Sequence, residues 1–138
     1  ANICRSPLAE VIARKLHSRA VAPASAGIAP GDSGPFEEAI EVAKKFYGED
    51  ISGHRPRPVF EFPASEFDFI VAMDSAVFMR LAAMPEIPRE KLYGWEIADP
   101  CGLGLTAYES TARLIEREME AFLVQRDREK HAGRRARA

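Results

Sequence analysis

The chain of 138 residues is long enough to bury one apolar core and short enough that a single domain is expected. Its 19 basic and 21 acidic side chains nearly cancel, so the net charge of -2 provides no overall field for binding nucleic acid or an anionic membrane. Two cysteines cannot build a disulfide framework, and no apolar run reaches the length of a signal-peptide core or a membrane span. We therefore expect a reduced, cytoplasmic protein in which any anion site is local.

The first half of the chain predicts two helices joined by an extended segment. Apolar residues recur at helical spacing over 6–18, where Pro7 occupies an early position at which its missing N–H is harmless. Residues 20–25 are predicted to form a short strand, and the Gly- and Pro-rich residues that follow are predicted to form a loop. A second helix is expected over 35–47, and Gly48 is expected to end it.

The second half of the chain predicts two buried strands and two helices. The continuous apolar run at 67–74 is typical of a parallel strand covered on both faces, and 91–97 predicts another strand. A short helix is expected over 75–83, and the longest amphipathic helix over 106–129. The basic residues after that helix are expected to be frayed and solvated.

These elements predict one α/β domain over residues 1–126, followed by a basic tail over 127–138. The expected architecture has three layers, in which a short twisted parallel sheet is flanked by helices. Ligands of such folds bind outside the carboxyl ends of the strands. Asp74 and Asp99 lie at two such ends, and the opening residues lie at a third if a strand precedes them.

The chain opens with polar residues that run directly into the first helix. Backbone N–H groups at a helix start and the positive end of the helix dipole together form an anion site. Arg5 adds a planar fork that can bind two phosphate oxygens, Asn2 can hold the loop through its amide, and Ser6 can cap the helix or donate into the loop. An ordinary helix start with an exposed Arg and a small buried Cys explains the same residue types.

The order of these residues is more specific than their types. NICRSPLAE at 2–10 resembles the phosphate-binding loop of low-molecular-weight protein-tyrosine phosphatases, whose signature is C-x5-R-S-P. Four further matches follow in that family's order: SAGI at 25–28, ISGHRPRPV at 51–59, FDFIVAMD at 67–74 and ADP at 98–100. The resemblance implies the fold of that family and a phosphatase that acts on a phosphorylated protein or a small aryl phosphate. It implies no metal and no other cofactor.

The resemblance also implies roles for single residues. Arg5 matches the arginine that clamps the phosphoryl oxygens, Asp99 the general acid that protonates the leaving oxygen, and Ser6 the hydroxyl that stabilises the nucleophilic thiolate. The substrate-binding loop implied by the match consists of Ala1, Asn2, Ile3, Cys4, Arg5 and Ser6.

Four residues match supporting positions of the family. Asn2, Ser25 and His54 match a hydrogen-bond network beneath the loop. By composition alone, His54 would be a surface loop residue. Cys4 matches the second cysteine of the family's loop, a neighbour and redox partner of the nucleophile, and its alternative role is a small buried side chain.

The nucleophilic cysteine of the family lies six positions before the arginine, which is upstream of Ala1. We expect the natural polypeptide to begin earlier, with an apolar first strand and this cysteine. A genuine N-terminal deletion is the alternative, with a rearranged fold or a strand borrowed from a neighbouring chain. A central strand cannot be omitted without leaving unpaired edges and a large apolar surface.

The sequence departs from the family's pattern where many relatives have aromatic walls that hold a phenyl ring. Cys101 and Gly102 stand at the first of these places, and residues 29–31 (Ala-Pro-Gly) at the second. Chemistry on phosphomonoesters is therefore better supported than a preference for phosphotyrosine. Asp74 is either an acid at the site or a helix N-cap, and we favour the cap.

Two other functions remain open. An arsenate reductase of the same fold needs further cysteines to relay a disulfide, and the midchain stretch VAMDSAVFMRL has none. A catalytically inactive oxyanion-binding module is the alternative if no upstream thiol exists, because Arg5 and the loop amides can bind phosphate without one.

Overall fold

The computed structural model describes Asn2 and residues 4–137, with side chains through Gly133. Four α-helices and one two-stranded parallel sheet follow the predicted order. The elements are α1 (Arg5–Leu16), α2 (Glu37–Tyr47), β1 (Ile70–Ala72), α3 (Ser75–Ala82), β2 (Leu92–Gly94) and α4 (Leu105–Arg137). Single turns of 3₁₀-helix occur at Val59–Glu61, Ala64–Glu66 and Arg89–Lys91.

The sheet separates two apolar layers, which confirms the predicted α/β class. On one face, Val71 and Trp95 belong to a core formed with α1, α2 and α4. On the other face, Ala72 and Leu92 pack against Leu81 of α3. The fully buried side chains of the larger layer include Leu8, Val11, Ile12, Val42, Ile97, Tyr108 and Ile115. The start of α1 is thereby anchored at one end of the sheet.

The ends of α2 follow from local sequence. Its first turn carries Glu37 and Glu38 and its last turn carries Lys44 and Lys45. The charges at both ends therefore interact favourably with the helix dipole. Gly48 adopts a left-handed φ of 67° and returns its N–H to the helix, as the sequence predicted.

Both strands are shorter than the sequence predicted. Residues 67–74 contain a ladder only at Ile70–Ala72, in register with Leu92–Gly94. Bonds from Trp95 N–H to the Ala72 carbonyl and from Ile97 N–H to the Met73 carbonyl extend the pairing. The apolar run therefore predicted the position of β1 but overestimated its length and its burial, because Ala72 is the one buried residue of 67–74.

The predicted strand at 20–25 is wrong. These residues are not paired into a strand, and the one bridge nearby joins Gly27 to Pro58 in parallel. A strand is defined by a partner, and none of the described residues pairs with 20–25.

The last helix is longer than predicted. The backbone of α4 continues to Arg137, past the expected end near residue 129 and through the basic residues expected to fray. Basic residues near a helix C-terminus complement its dipole, which favours this continuation. No helix in the described ranges is both long and apolar enough to cross a membrane.

Two leucines of α1 test how far the core depends on this helix. Leu8 is fully buried and Leu16 is 52% exposed. We predict that Leu8→Ala lowers the free energy of unfolding by about 2–5 kcal/mol, because it leaves a cavity in the core. Leu16→Ala is the matched control and should change it by about 0.5 kcal/mol or less. Urea denaturation measures both, and equal losses for the two variants would contradict this description of the core.

Candidate active site

The site forms where the start of α1 meets the carboxyl ends of β1 and β2. Arg5 is the first residue of α1, and its side chain is 18% exposed. Its Nη1 donates to Asp74 Oδ2 at 2.8 Å and to the Ile97 carbonyl at 2.6 Å. Because both bonds to described residues use Nη1, Nε and Nη2 are the donors best placed to bind an anion.

Asp74 has two partners. Its Oδ1 accepts from the Val77 N–H at 2.8 Å and caps α3, which confirms the cap that the sequence favoured. Its Oδ2 binds Arg5. The hydrogen bond from Val77 and then the Arg5 guanidinium hold the pKa of this carboxyl below its ordinary value. Asp74 therefore remains ionised and fixes the direction of Arg5.

Asn2 holds the residues beneath the loop. It is buried and adopts a left-handed φ of 61°, a conformation that Asn tolerates better than most residues. Its Oδ1 accepts from the backbone N–H of Arg57 at 3.1 Å, and its Nδ2 donates to Ser6 Oγ at 2.9 Å. Since the Arg57 N–H can only donate, it fixes which way the amide points.

His54 contacts the same asparagine. Its Nε2 lies 3.1 Å from both the backbone carbonyl and Oδ1 of Asn2. Both atoms are acceptors, so Nε2 must carry a hydrogen. The structure thus brings Asn2, Ser6 and His54 together, whereas Ser25, the third residue predicted for the network of Asn2 and His54, bonds to Glu10 instead.

Ser25 lies in a second cluster next to this one. Its Oγ donates to Glu10 Oε1 at 3.1 Å, and Glu10 also lies within ion-pair distance of Arg14 and Arg57. Sequence reasoning did not assign a role to Glu10 or Arg57. Glu10 was nevertheless the last residue of the matched opening motif, and that position was the available signal.

Cys4 precedes α1 and points into the core. It is 7% exposed, and its Sγ lies 3.3 Å from the hydroxyl of Tyr108. Burial raises the pKa of the Cys4 thiol, and the nearby Asp99 raises it further, although the Tyr108 hydroxyl and the Phe36 N–H lower it. A thiol with a raised pKa is protonated near neutral pH and is a poor nucleophile.

Asp99 lies on the exposed loop that follows β2. Its Oδ1 accepts from the Cys101 N–H at 3.1 Å, an Asx turn that fixes the start of this loop. Gly102 and Gly104 have φ values of 78° and 89°, which residues other than glycine rarely adopt. This turn projects Leu103 into solvent, with 70% of its surface exposed.

A cavity of about 720 Å³ connects these groups. Its lining includes Arg5, Ser6, Asp99 and Cys101 at one end and largely apolar side chains beyond them. The predicted loop residues Ala1 and Ile3 lie outside the described residues. Within the described part of the chain, no three His, Cys, Asp or Glu side chains are grouped so as to hold a metal ion.

Substitutions at Asp74 can separate its two contacts. Because its pKa is lower in the folded than in the unfolded chain, its charge stabilises the fold above about pH 4, and this stabilisation is lost as the pH falls. Asn caps helices nearly as well as Asp. We predict that Asp74→Asn lowers the free energy of unfolding at pH 7, with a difference from the wild type that shrinks toward pH 3.

Asp74→Ala is the companion variant for this experiment. It removes the cap as well as the charge and should cost about 1 kcal/mol more than Asp74→Asn at every pH. Urea denaturation from pH 7 to pH 3 measures both differences. A gap between the wild type and Asp74→Asn that widens toward acid pH would contradict the assignment.

Comparisons with known proteins find relatives that match most of this chain. A probable low molecular weight protein-tyrosine-phosphatase, EpsP of Ralstonia nicotianae, is 29% identical, with 88% of each chain covered. A glutaredoxin arsenate reductase of Synechocystis is 26% identical, with 89% of this chain and 90% of that protein covered. The crystal structure of the tyrosine phosphatase Wzb from Escherichia coli K30 in complex with sulphate superposes with a TM-score of 0.77 at 28% identity, covering 91% of this chain and 92% of that one.

The family match extends over almost all of the sequence. Residues 1–132 match the family described as low molecular weight phosphotyrosine protein phosphatase. The matched range includes the loop at the start of α1, the network beneath it and the loop that carries Asp99. The chain belongs to the low-molecular-weight protein-tyrosine phosphatase family.

Proposed function

We propose that this protein hydrolyses phosphomonoesters, among them phosphotyrosine or small aryl phosphates, through a phosphocysteine intermediate. The position of Arg5 carries the proposal, because its guanidinium is fixed by Asp74 and Ile97 where the α1 N-terminus opens into the cavity. Cys4, the N-cap residue, does not cap α1, because its thiol contacts Tyr108 instead. The helix start is therefore available to an anion.

The nucleophile in this proposal is a cysteine two positions before Ala1, where the family's C-x5-R pattern places it. Its thiolate attacks phosphorus in line, an S–P bond forms and the bond to the leaving oxygen breaks. Asp99 donates a proton to the leaving oxygen and then accepts one from the water that cleaves the S–P bond. Arg5 binds the equatorial oxygens as negative charge develops in each transition state.

Cys4 is not suited to replace that nucleophile. Its thiol is buried against Tyr108, and burial raises its pKa. It also precedes Arg5 directly, and adjacent residues cannot enclose one phosphate from opposite sides.

The hydroxyl group of Ser6 can donate a hydrogen bond to a thiolate. The amide of Asn2 donates to Ser6 Oγ, so the hydroxyl hydrogen of Ser6 is left to donate elsewhere. Arg57 fixes that amide through Oδ1, and the Nε2 hydrogen of His54 lies against the same oxygen. The network therefore orients one hydroxyl toward the loop, and a hydrogen bond to a thiolate lowers the pKa of the thiol.

The cavity is partly apolar next to Arg5 and Asp99, which suits an aromatic substrate. Phe36 is 38% exposed and lines the cavity. It supplies a flat apolar wall in place of the family's aromatic residues, which are missing at Cys101 and at 29–31. Leu103 adds a second exposed apolar side chain on the loop of the general acid.

Arsenate reduction is the second candidate, favoured by the Synechocystis relative. It would require a disulfide relay, and the chain contains only Cys4 and Cys101. Phosphate ester hydrolysis needs one thiol and no electron donor, so the residues present favour it. Thiol-dependent arsenite production by the same preparation would instead support reduction.

The direct test is the hydrolysis of p-nitrophenyl phosphate by the polypeptide that includes its natural residues before Ala1. We predict turnover through a trapped phosphocysteine, and Asp99→Asn should lower kcat by about 10²- to 10⁴-fold. The loss should be greater for phenyl phosphate, because its more basic leaving group depends more on a general acid. Glu96→Gln replaces an exposed carboxylate three residues away and is the matched control.

If the polypeptide with its natural upstream residues folds and binds phosphate but does not hydrolyse p-nitrophenyl phosphate, the phosphatase proposal is rejected. The oxyanion-binding module then remains. An equal loss for both leaving groups would reject Asp99 as the acid.

Phe36 tests the aromatic preference separately. We predict that Phe36→Ala raises KM for aryl phosphates by about two- to tenfold, with kcat unchanged, because one ring contact is lost. Phe60 is 85% exposed and does not line the cavity, so Phe60→Ala is the control. Steady-state kinetics measure both variants, and an equal rise in KM for an alkyl phosphate would contradict a contact with the aromatic ring.

A further inference from the structure

The outer edge of strand β2 and of the extended residues after it carries unpaired peptide groups. The Trp95 N–H donates to the Ala72 carbonyl at 2.9 Å, so the peptide groups of Trp95 face β1. Successive residues of a strand present their N–H and C=O groups to opposite edges, so those of Gly94 and Glu96 face away from β1. No hydrogen bond among the described residues uses these outward groups. An edge of this kind is a template for another extended chain.

A side chain closes this edge at its N-terminal end. The Leu92 carbonyl also faces outward, and it accepts from Arg89 Nη1 at 3.4 Å. Arg89 is held there by the Phe78 ring, whose centroid lies 4.7 Å from the guanidinium carbon. The part of the edge that stays open in the described structure is therefore at Gly94 and Glu96, toward the candidate active site.

An open pocket of about 340 Å³ lies between α3 and these groups. We call it the edge pocket, and its lining consists of Ser75, Phe78, Met79, Gly94, Trp95 and Glu96. Phe78 and Met79 form its apolar wall, and Met79 is 67% exposed. A Cβ at Gly94 would stand 3.1 Å from the Phe78 ring, so the ring can lie against the strand only because this residue has no side chain.

The edge pocket adjoins the candidate active site along the chain. Its lining residue Ser75 directly follows Asp74, and Glu96 directly precedes Ile97. Asp74 and Ile97 are the two residues that accept hydrogen bonds from Arg5 Nη1. An extended residue spans about 3.3 Å, so a polypeptide with a phosphorylated side chain at Arg5 reaches the edge pocket within a few residues.

The charge at the edge pocket indicates the chemistry of its occupant. Glu96 is exposed, and no ion pair of the described residues includes it. A carboxylate at the rim of a binding surface favours a cationic partner. Gly94 and Glu96 are two positions apart and face the same side of the strand. An extended occupant therefore places an apolar side chain against Phe78 and a basic side chain, two positions away, at Glu96.

We propose that the edge pocket binds the extended segment that flanks a phosphotyrosine in a protein substrate. The peptide groups of Gly94 and Glu96 bond to the main chain of this segment. Its basic residue lies at Glu96, nearer the phosphotyrosine, and its apolar residue lies two positions further, against Phe78 and Met79. The link to phosphotyrosine rests on the proposed function, whereas binding of the extended segment does not.

The test uses the polypeptide of the hydrolysis assay and the peptide Leu-Gly-Lys-Gly-X-Gly-Lys-Gly-Leu, in which X is phosphonomethylphenylalanine, a non-hydrolysable mimic of phosphotyrosine. The two halves carry the same residues in opposite order, so one half fits the edge whichever way the peptide runs. Isothermal titration calorimetry gives the Kd. We expect binding to be about tenfold weaker when Gly replaces Lys and Leu.

Methylation of the peptide backbone tests the hydrogen bonds to the edge. A peptide whose flanking nitrogens are all methylated keeps its side chains but cannot donate to the carbonyls of Gly94 and Glu96. We expect about tenfold weaker binding of this peptide.

Charge reversal at Glu96 locates the contact on the protein. Glu96→Lys should weaken binding of the lysine peptide by about fivefold and should bind a peptide with Glu in place of Lys more tightly than the wild type does. Glu86→Lys reverses an exposed charge outside the edge pocket and is the matched control. Met79→Asp should weaken binding of the leucine peptide, whereas Met79→Leu should not. Melting temperatures equal to that of the wild type establish that the variants fold.

This experiment separates the edge pocket from the proposed function. p-Nitrophenyl phosphate has no flanking residues and does not reach Glu96. If it is hydrolysed but all the peptides bind with one Kd, or if Glu96→Lys and Glu86→Lys behave alike, the edge pocket proposal is overturned and the phosphatase stands. If peptide binding follows Glu96 and Met79 without any hydrolysis, the edge pocket is supported and the proposed function alone fails. A dimer that Glu96→Lys dissociates, with peptide binding unchanged, would assign the edge to a second copy and overturn the proposal.

Discussion

The hydrogen bonds of the Arg5 guanidinium to Asp74 and Ile97 are the constraint on which the rest of the site depends. They join the first residue of α1 to the ends of both strands. Asp74 also caps α3, so one carboxylate connects the start of α1 to α3 and to the end of β1. Because the pKa of Asp74 is lowered, this connection persists at neutral pH. The Arg5 side chain is therefore held in one direction, and in the proposed mechanism this lowers the reorganisation needed to bind the developing negative charge.

The network beneath the loop also fixes the residues at the start of α1. Asn2 occupies a left-handed conformation and is bonded to Ser6, His54 and Arg57. These bonds connect residue 2 to the loop of residues 54–57. Local conformational preferences alone could not hold two segments so far apart in the chain together. Glu10 bridges Ser25 and Arg57 next to it. The proposed function uses this arrangement, because a loop that is held on one side can present its other donors to a ligand.

The sequence predicted those parts of the molecule that depend on local pattern. The helical spacing gave four helices in the right order, Gly48 marked the end of α2, and the Asp before Ser75 marked the cap of α3. Strand lengths, and the lack of a strand partner for 20–25 among the described residues, were not predictable, because a ladder depends on partners far along the chain. The ion pair between Arg5 and Asp74 spans 69 positions and has no local signal. The roles of Arg57 and Phe36 were missed for the same reason.

The measurement that tests the central claim most directly is a crystal structure of the polypeptide, including its natural residues before Ala1, soaked with tungstate. The account predicts one tetrahedral oxyanion at the start of α1, bonded to Arg5 through Nε or Nη2 while Nη1 remains on Asp74 and Ile97. An anion bound elsewhere, or an Arg5 side chain turned away from both partners when the anion binds, would contradict it.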